Sequence, residues 1–202
     1  MEYNGKKALV CGMARSGIAA AKLLNRLGAG GTLQDMKKRE EISADVLALE
    51  GEGIVLYTGA NPDEIACAQD LIVLSPGIPC DLPFIAAAEN AGIEVISEVE
   101  LAYRLTPCPI TAITGTNGKT TTTTLAGEMF KTQYKNCVVV GNIGVPYSSE
   151  VERLTKDDYV VAEISSFQME TVLSENCGFG ISFNPIFPQN RIHHRFLWMA
   201  LL

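Results

Sequence analysis

Apolar residues come in short bursts along this chain, separated either by stretches with helical spacing or by glycine and proline punctuation. The bursts "KALVCG" (7–12), "GTLQD" (31–35), "GIVLYTG" (53–59), "DLIVLSPG" (70–77) and "IEVIS" (93–97) read as buried strands. Between the first two, "SGIAAAKLLNRLG" (16–28) sets Ile18, Ala21, Leu24 and Leu27 on one helical face and stops at Gly28. The stretch "LPFIAAAENAG" (82–92) repeats that arrangement and stops at Gly92. Strands alternating with helices predict a parallel sheet covered on both faces. "RLTPCPIT" (104–111), with two prolines, interrupts the pattern and marks a domain boundary. A second α/β unit follows, with strands "ITAITG" (110–115), "CVVVGN" (137–142), "YVVAEIS" (159–165) and "FGISFN" (179–184).

The last stretch, "NPIFPQNRIHHRFLWMALL" (184–202), departs from all of this. It holds both histidines and the only tryptophan, has no acidic residue, and shows neither a period of 2 nor one of 3.6. A shifted reading frame or a premature stop produces such a change, so disorder or misplacement is expected over 184–202. The neighbouring pair His193 and His194 is given no role.

Composition changes this picture little. With 202 residues, 47% hydrophobic and 19% charged, the chain has room for one large domain or two small ones. A net charge of −7 and the lack of a basic stripe argue against a nucleic-acid partner. Of the 23 acidic residues, 15 precede Thr106, so the acidity belongs to the first unit and serves solubility. The six cysteines form no CxxC pair, and Cys11 and Cys137 fall in apolar strands as small hydrophobes. No signal peptide opens the chain, and no apolar run reaches the roughly 18 residues of a membrane span. A monomeric cytoplasmic protein with reduced thiols and no membrane contact is expected.

The chemistry begins at "ITGTNGKTTTTTL" (113–125). A buried strand ends at Gly115, Thr116-Asn117-Gly118 turns, and Lys119-Thr120-Thr121 opens a helix carrying Leu125, Met129 and Phe130. That order suits phosphate: turn and helix N–H groups face its oxygens, Lys119 reaches the terminal phosphates, and the Thr120 hydroxyl ligates Mg²⁺. The usual pattern also wants a glycine six residues before the lysine, where this chain has Ile113. The bland alternative is an ordinary capped turn with a solvated lysine. Thr121 to Thr124 are poor helix formers whose methyls are expected to pack.

A second glycine motif, "VCGMARSGIAAAKLL", sits where a dinucleotide fingerprint would, and Asp35 follows about 20 residues on, where such folds hold a ribose. The central glycine, however, is Ala14. Its Cβ stands where backbone should approach a pyrophosphate, which argues against NAD and leaves a tight turn or a site for another nucleotide. In the second unit, Glu163 ends an apolar strand that follows the phosphate-loop strand, a good position for a metal ligand. A strand-end acid that merely pairs or caps is the alternative.

Taken together, "TGTNGKTTT", "GNIG" (141–144) and "AEISSFQME" (162–170) resemble the Mur ligase family, nearest its D-glutamate-adding branch. The family writes its loop without the earlier glycine, so Ile113 becomes an expected feature. The resemblance implies that Asn142 lies beside ATP and metal, that Glu163 ligates Mg²⁺, and that Ser165 to Gln168 mark the branch. It further implies that "GMARSG" (12–17, with Arg15 and Ser16) and Asp35 cradle uracil, and that Ser75 of "SPGI" lies along the diphosphate-sugar. The helix entering the central domain is matched by "SEVELAYR" (97–104).

The implied fold is α/β: a Rossmann-like parallel-sheet amino-terminal domain (1–106), then an incomplete P-loop ATPase-type central α/β domain (107–183), then the tail. The implied activity is ATP-dependent ligation of D-glutamate to UDP-N-acetylmuramoyl-L-alanine through an acyl phosphate. Lys119, Asn142 and Glu163 would be catalytic, with ATP and Mg²⁺ as cofactors. The family continues past this point with a metal-ligating histidine, a modified lysine and a carboxy-terminal domain, so the chain reads as a fragment inactive alone. A non-catalytic UDP-sugar and ATP-binding module is the alternative, as is a folylpolyglutamate-type ligase, against which Ser165 to Gln168 argue.

Overall fold

The computed structural model describes residues 2–165, 168, 171, 180–183 and 198–201. Two five-stranded parallel sheets make up the fold, one in each half of the chain. The first has the order β3-β2-β1-β4-β5, from β1 (Lys7–Cys11), β2 (Gly30–Asp35), β3 (Val55–Thr58), β4 (Leu71–Leu74) and β5 (Glu94–Ser97). Between these strands run α1 (Arg15–Arg26), two short helices α2 (Ala44–Leu47) and α3 (Asp63–Ala66), and α4 (Pro83–Asn90). Successive residues of a strand face opposite ways, and both faces are covered. Ala8 and Val10 pack with Ala20 and Leu24 of α1, whereas Leu9 and Cys11 pack with Phe84, Ile85 and Ala88 around α4. Burial pushes the Cys11 thiol up to about 12, which leaves it an inert core group.

α5 (Glu98–Leu105) leads out of the first sheet, with Ser97 accepting the Glu100 N–H at its start. The second sheet has the order β10-β9-β6-β8-β7. Its strands are β6 (Ile110–Gly115), β7 (Asn136–Gly141), β8 (Asp158–Glu163), β9 (Gly180–Phe183) and β10 (Trp198–Leu201). α6 (Lys119–Phe130) follows β6, and the short α7 (Tyr147–Glu150) follows β7.

Two expectations are corrected. The methyls of Thr121 to Thr124 do not all pack: Thr121 and Thr124 are exposed, and α6 meets the sheet through Thr123, Ala126, Gly127 and Phe130, with Leu125 and Met129 60% and 63% exposed. Within the aperiodic tail, Trp198–Leu201 forms an edge strand parallel to β9, a pairing that local periodicity does not encode. His193 and His194 lie outside the described residues.

The two halves share their cores. Val99 and Ala102 of α5 pack with Ile110 and Val140 of the second sheet and Tyr147 of α7, and Val151, just past α7, joins the first core beside α1. No helix among the described residues is long and apolar enough to cross a membrane.

Candidate functional site

The predicted phosphate loop, residues 115–120, lies at the carboxyl ends of β6, β8 and β7. Gly115 ends β6, residues 116–118 turn, and α6 opens at Lys119, so its first N–H groups, which have no partner one turn back, face the loop mouth. Thr116, Asn117, Gly118, Thr120 and Thr121 are exposed there. Lys119 folds back, its Nζ donating to the Gly115 carbonyl at 2.6 Å.

Strand register brings the acid to this loop. Glu163 is level with Ile113 on one side and with Gly141 on the other, so it lies between the loop strand and the strand that delivers Asn142. The carboxylate is 1% exposed. Its Oε2 accepts the Thr120 hydroxyl at 2.9 Å and its Oε1 accepts the Asn142 side-chain amide at 3.1 Å. The Asn142 N–H also donates to the Glu163 carbonyl at 2.9 Å. Thr120, Asn142 and Glu163, separated by tens of residues in sequence, are thus one cluster.

Only neutral donors hold that buried carboxylate among the described residues. Such a charge is costly to bury without a counter-ion. Carboxylate, hydroxyl and phosphate oxygens around one divalent ion are the hard donors that suit Mg²⁺, which needs few protein ligands when a nucleotide supplies the rest. The residues present therefore fit the ion. Close approach here depends on Gly141: a Cβ on it would lie 2.2 Å from the Glu163 carbonyl oxygen.

A second set of predicted residues gathers on the first sheet. Its strand order reverses direction between β1 and β4, the place where open α/β sheets form a crevice. Gly12 ends β1 and Ser75 follows β4, with the Ser75 hydroxyl donating to the Gly12 carbonyl at 3.3 Å. Gly17 lets α1 close onto that turn, since a Cβ would fall 1.9 Å from the Gly12 oxygen and 2.6 Å from Ser75 Oγ. Ala14 is exposed at the cap of α1, so the middle position of the motif needs no glycine for packing. Asp35 braces the turn, its two oxygens accepting the N–H groups of Met13 at 2.9 Å and Lys37 at 3.0 Å. Ser16 is half-buried in the first turn of α1. Arg15 is exposed and reaches the other half of the protein, donating to the Gly144 carbonyl at 3.4 Å.

A narrow cleft joins the two halves, lined by Ser75, Ile78, Cys80, Ser97, Gln168 and Thr171 among others. Ser165 and Gln168 exchange two hydrogen bonds: the Ser165 N–H donates to Gln168 Oε1 at 2.8 Å, and the Gln168 N–H donates to Ser165 Oγ at 3.3 Å. That is a capping box, so S-x-x-Q here has a local structural job. The buried Gln168 Nε2 has no partner among the described residues. The motifs at 141–144 and 97–104 include Gly141 and Ser97 without assigning either a role, and Cys80 is given none. The S-x-x-Q and S-x-x-E spacings at 165 and 97 were available signals, whereas nothing local marks Cys80 or Gly141.

Comparison with known proteins gives matching results. Residues 6–97 match the Mur ligase MurD-like amino-terminal domain and residues 113–183 match the Mur ligase middle domain. The UDP-N-acetylmuramoylalanine–D-glutamate ligase of Alkaliphilus metalliredigens is 47% identical over 174 residues, which are 85% of this chain and 38% of that protein. The enzyme of the same name from Pelotomaculum thermopropionicum is 44% identical over 183 residues, 91% of this chain and 40% of its own. The chain thus spans about two fifths of the length of these relatives. Among solved structures, a murein peptide ligase from Psychrobacter arcticus superposes with a TM-score of 0.51 at 18% identity, over 89% of this chain and 42% of that one, a likeness of fold.

Proposed function

Since the chain belongs to the Mur ligase family, we propose that it carries the substrate and nucleotide modules of an ADP-forming ligase. That ligase joins D-glutamate to UDP-N-acetylmuramoyl-L-alanine in cytoplasmic peptidoglycan synthesis. The observation that carries this reading is the buried Glu163 carboxylate, held by Thr120 and Asn142 beside the loop that ends in Lys119.

A carboxylate acylates amines poorly because oxide is its leaving group. Transfer of the ATP γ-phosphoryl group to it gives an acyl phosphate and ADP; the D-glutamate amine then attacks the acyl carbon and inorganic phosphate departs. The loop N–H groups and the first turn of α6 bind the phosphates, and Lys119 exchanges the Gly115 carbonyl for their terminal oxygens. Thr120 and Glu163 would hold Mg²⁺, which would supply charge neutralisation to the phosphoryl group. Asn142 orients the incoming carboxylate. On the first sheet, Arg15, Ser16, Asp35 and Ser75 take the UDP portion, so one monomer presents substrate to nucleotide.

The test is phosphate release from Mg·ATP by the purified chain, with and without UDP-N-acetylmuramoyl-L-alanine and D-glutamate. Release that requires both supports the ligase. Binding of both nucleotides without release supports the second reading, a binding module, which the two-fifths coverage of the relatives favours for this chain by itself. Lys119→Ala should abolish ATP binding and spare the UDP-substrate; unchanged ATP affinity overturns the loop assignment.

A further inference from the structure

The segment after β7 carries Asn142 at one end and α7 at the other, and the first module grips it in two places. At the near end, Arg15 donates to the Gly144 carbonyl. At the far end lies Glu98, the first residue of α5, 1% exposed. Its Oε1 accepts the Ser148 N–H at 2.6 Å, and Ser148 is itself fully buried. Next to it the buried Tyr147 hydroxyl lies 2.6 Å from Thr106 Oγ1, at the end of α5. The other Glu98 oxygen has no partner among the described residues.

A buried carboxylate without a cation is an expensive way to cap one short helix, because a neutral side chain could accept the same bond. Its position gives it more to do. Ser97, the neighbouring residue, lines the cleft with Ser75, while Ser148 lies six residues beyond Asn142. At the Asn142 end the chain is tied down at Gly141, whose N–H donates to the Val145 carbonyl, and at Asn142, whose N–H donates to the Glu163 carbonyl. A shift at Ser148 therefore has a short path to the Asn142 amide that orients Glu163.

We infer that Glu98 is a positioning residue: by fixing α7 to the first module, with Arg15 as a second hold, it sets Asn142 against Glu163 and so makes metal-dependent nucleotide binding depend on the substrate module. This rests on the proposed role of Glu163 and Asn142 and adds the element that aligns them. What matters is the location of the acceptor oxygen and not its charge. Glu98→Gln keeps an acceptor at the same reach, whereas Glu98→Asp keeps the charge and withdraws the acceptor by one methylene.

The experiment uses the 202-residue chain and two readouts. Amide hydrogen exchange over residues 139–150, without nucleotide, reads the geometry: Glu98→Asp should exchange about tenfold faster from Asn142 to Ser148, and Glu98→Gln should exchange no faster than wild type. Calorimetric titration with ADP, with and without Mg²⁺, reads the consequence. Glu98→Asp should lose about tenfold in affinity with Mg²⁺, the low end for removing a group that orients a metal ligand, and little without it. Should Glu98→Asp not fold, the exposed Arg15→Gln serves, with faster exchange confined to the Asn142–Gly144 end.

Unchanged exchange, or equal losses for Asp and Gln, overturns the inference. So does faster exchange with Mg·ADP affinity intact. If wild type binds no Mg·ADP at all, the proposed function fails first, and the exchange data still report whether Glu98 holds the segment.

Discussion

Gly141→Ala is a severe single-atom test of the corner where Asn142 meets Glu163. The residue has φ +102°, which an L side chain adopts at a cost of roughly 1–2 kcal/mol. Its new Cβ would also lie 2.2 Å from the Glu163 carbonyl oxygen, 3.2 Å from its carbon and 3.3 Å from its nitrogen. The obstacle is backbone in a central strand, so no rotamer relieves it. β7 must move off β8 by about 1 Å, an overpacking strain of about 1–3 kcal/mol. That movement breaks the Asn142 N–H bond to Glu163 and pulls the Asn142 amide from Oε1. A loss of about 2–5 kcal/mol follows, a large share of a typical domain's stability. Urea denaturation measures it, and titration with ADP measures the rest: affinity with Mg²⁺ should fall sharply while Mg²⁺-free affinity, carried by the loop of residues 115–120, falls little. A variant as stable as wild type that binds Mg·ADP equally well refutes both the register and the role given to this corner.

Further outcomes follow from the same geometry. Asp35→Ala removes the acceptor for two backbone N–H groups, at roughly 1 kcal/mol each, and should weaken UDP binding while sparing ATP; the reverse selectivity would exchange the roles of the two sheets. Thr123 Oγ1 is buried without a partner among the described residues, so Thr123→Val should stabilise by about 1 kcal/mol in thermal unfolding, and a loss of stability would mean the hydroxyl is satisfied. Burial raises the Glu98 carboxyl above its ordinary 4.5, against the lowering pull of the Ser148 and Tyr147 N–H groups. The folded state therefore holds the proton longer than the unfolded one. Wild-type stability falls as pH climbs from about 4.5 through the raised value, by at most about 1.4 kcal/mol per pH unit. Glu98→Gln lacks that loss, so its advantage over wild type should grow across that window; parallel stability–pH curves would contradict it.

The strands of both sheets up to β9 were legible in the chain, because burial on two faces demands continuous apolar runs and glycine marks where they end. The strand–turn–helix around Gly115 to Thr120 was equally legible, since strand, turn and Lys-Thr at a helix start are contiguous. The packing face of α6 was not legible, because Thr123 and Gly127 meet the sheet while Leu125 and Met129 lie exposed, against the usual bias of apolar residues toward the core. α7 and β10 were invisible: four residues carry no period, and an edge strand exists only through its neighbour.

The sequence by itself determined that this is an α/β protein of the Mur ligase type with a strand, a glycine turn and a helix start in succession from Gly115 to Thr120, because those features are written in adjacent residues. Tertiary structure alone decided that Glu163 meets Thr120 and Asn142, that Gly141 must lack a side chain, and that Glu98 and Arg15 hold the segment between. Those facts depend on parallel register and on the packing of α5 against α7, which bring together residues tens of positions apart in the chain.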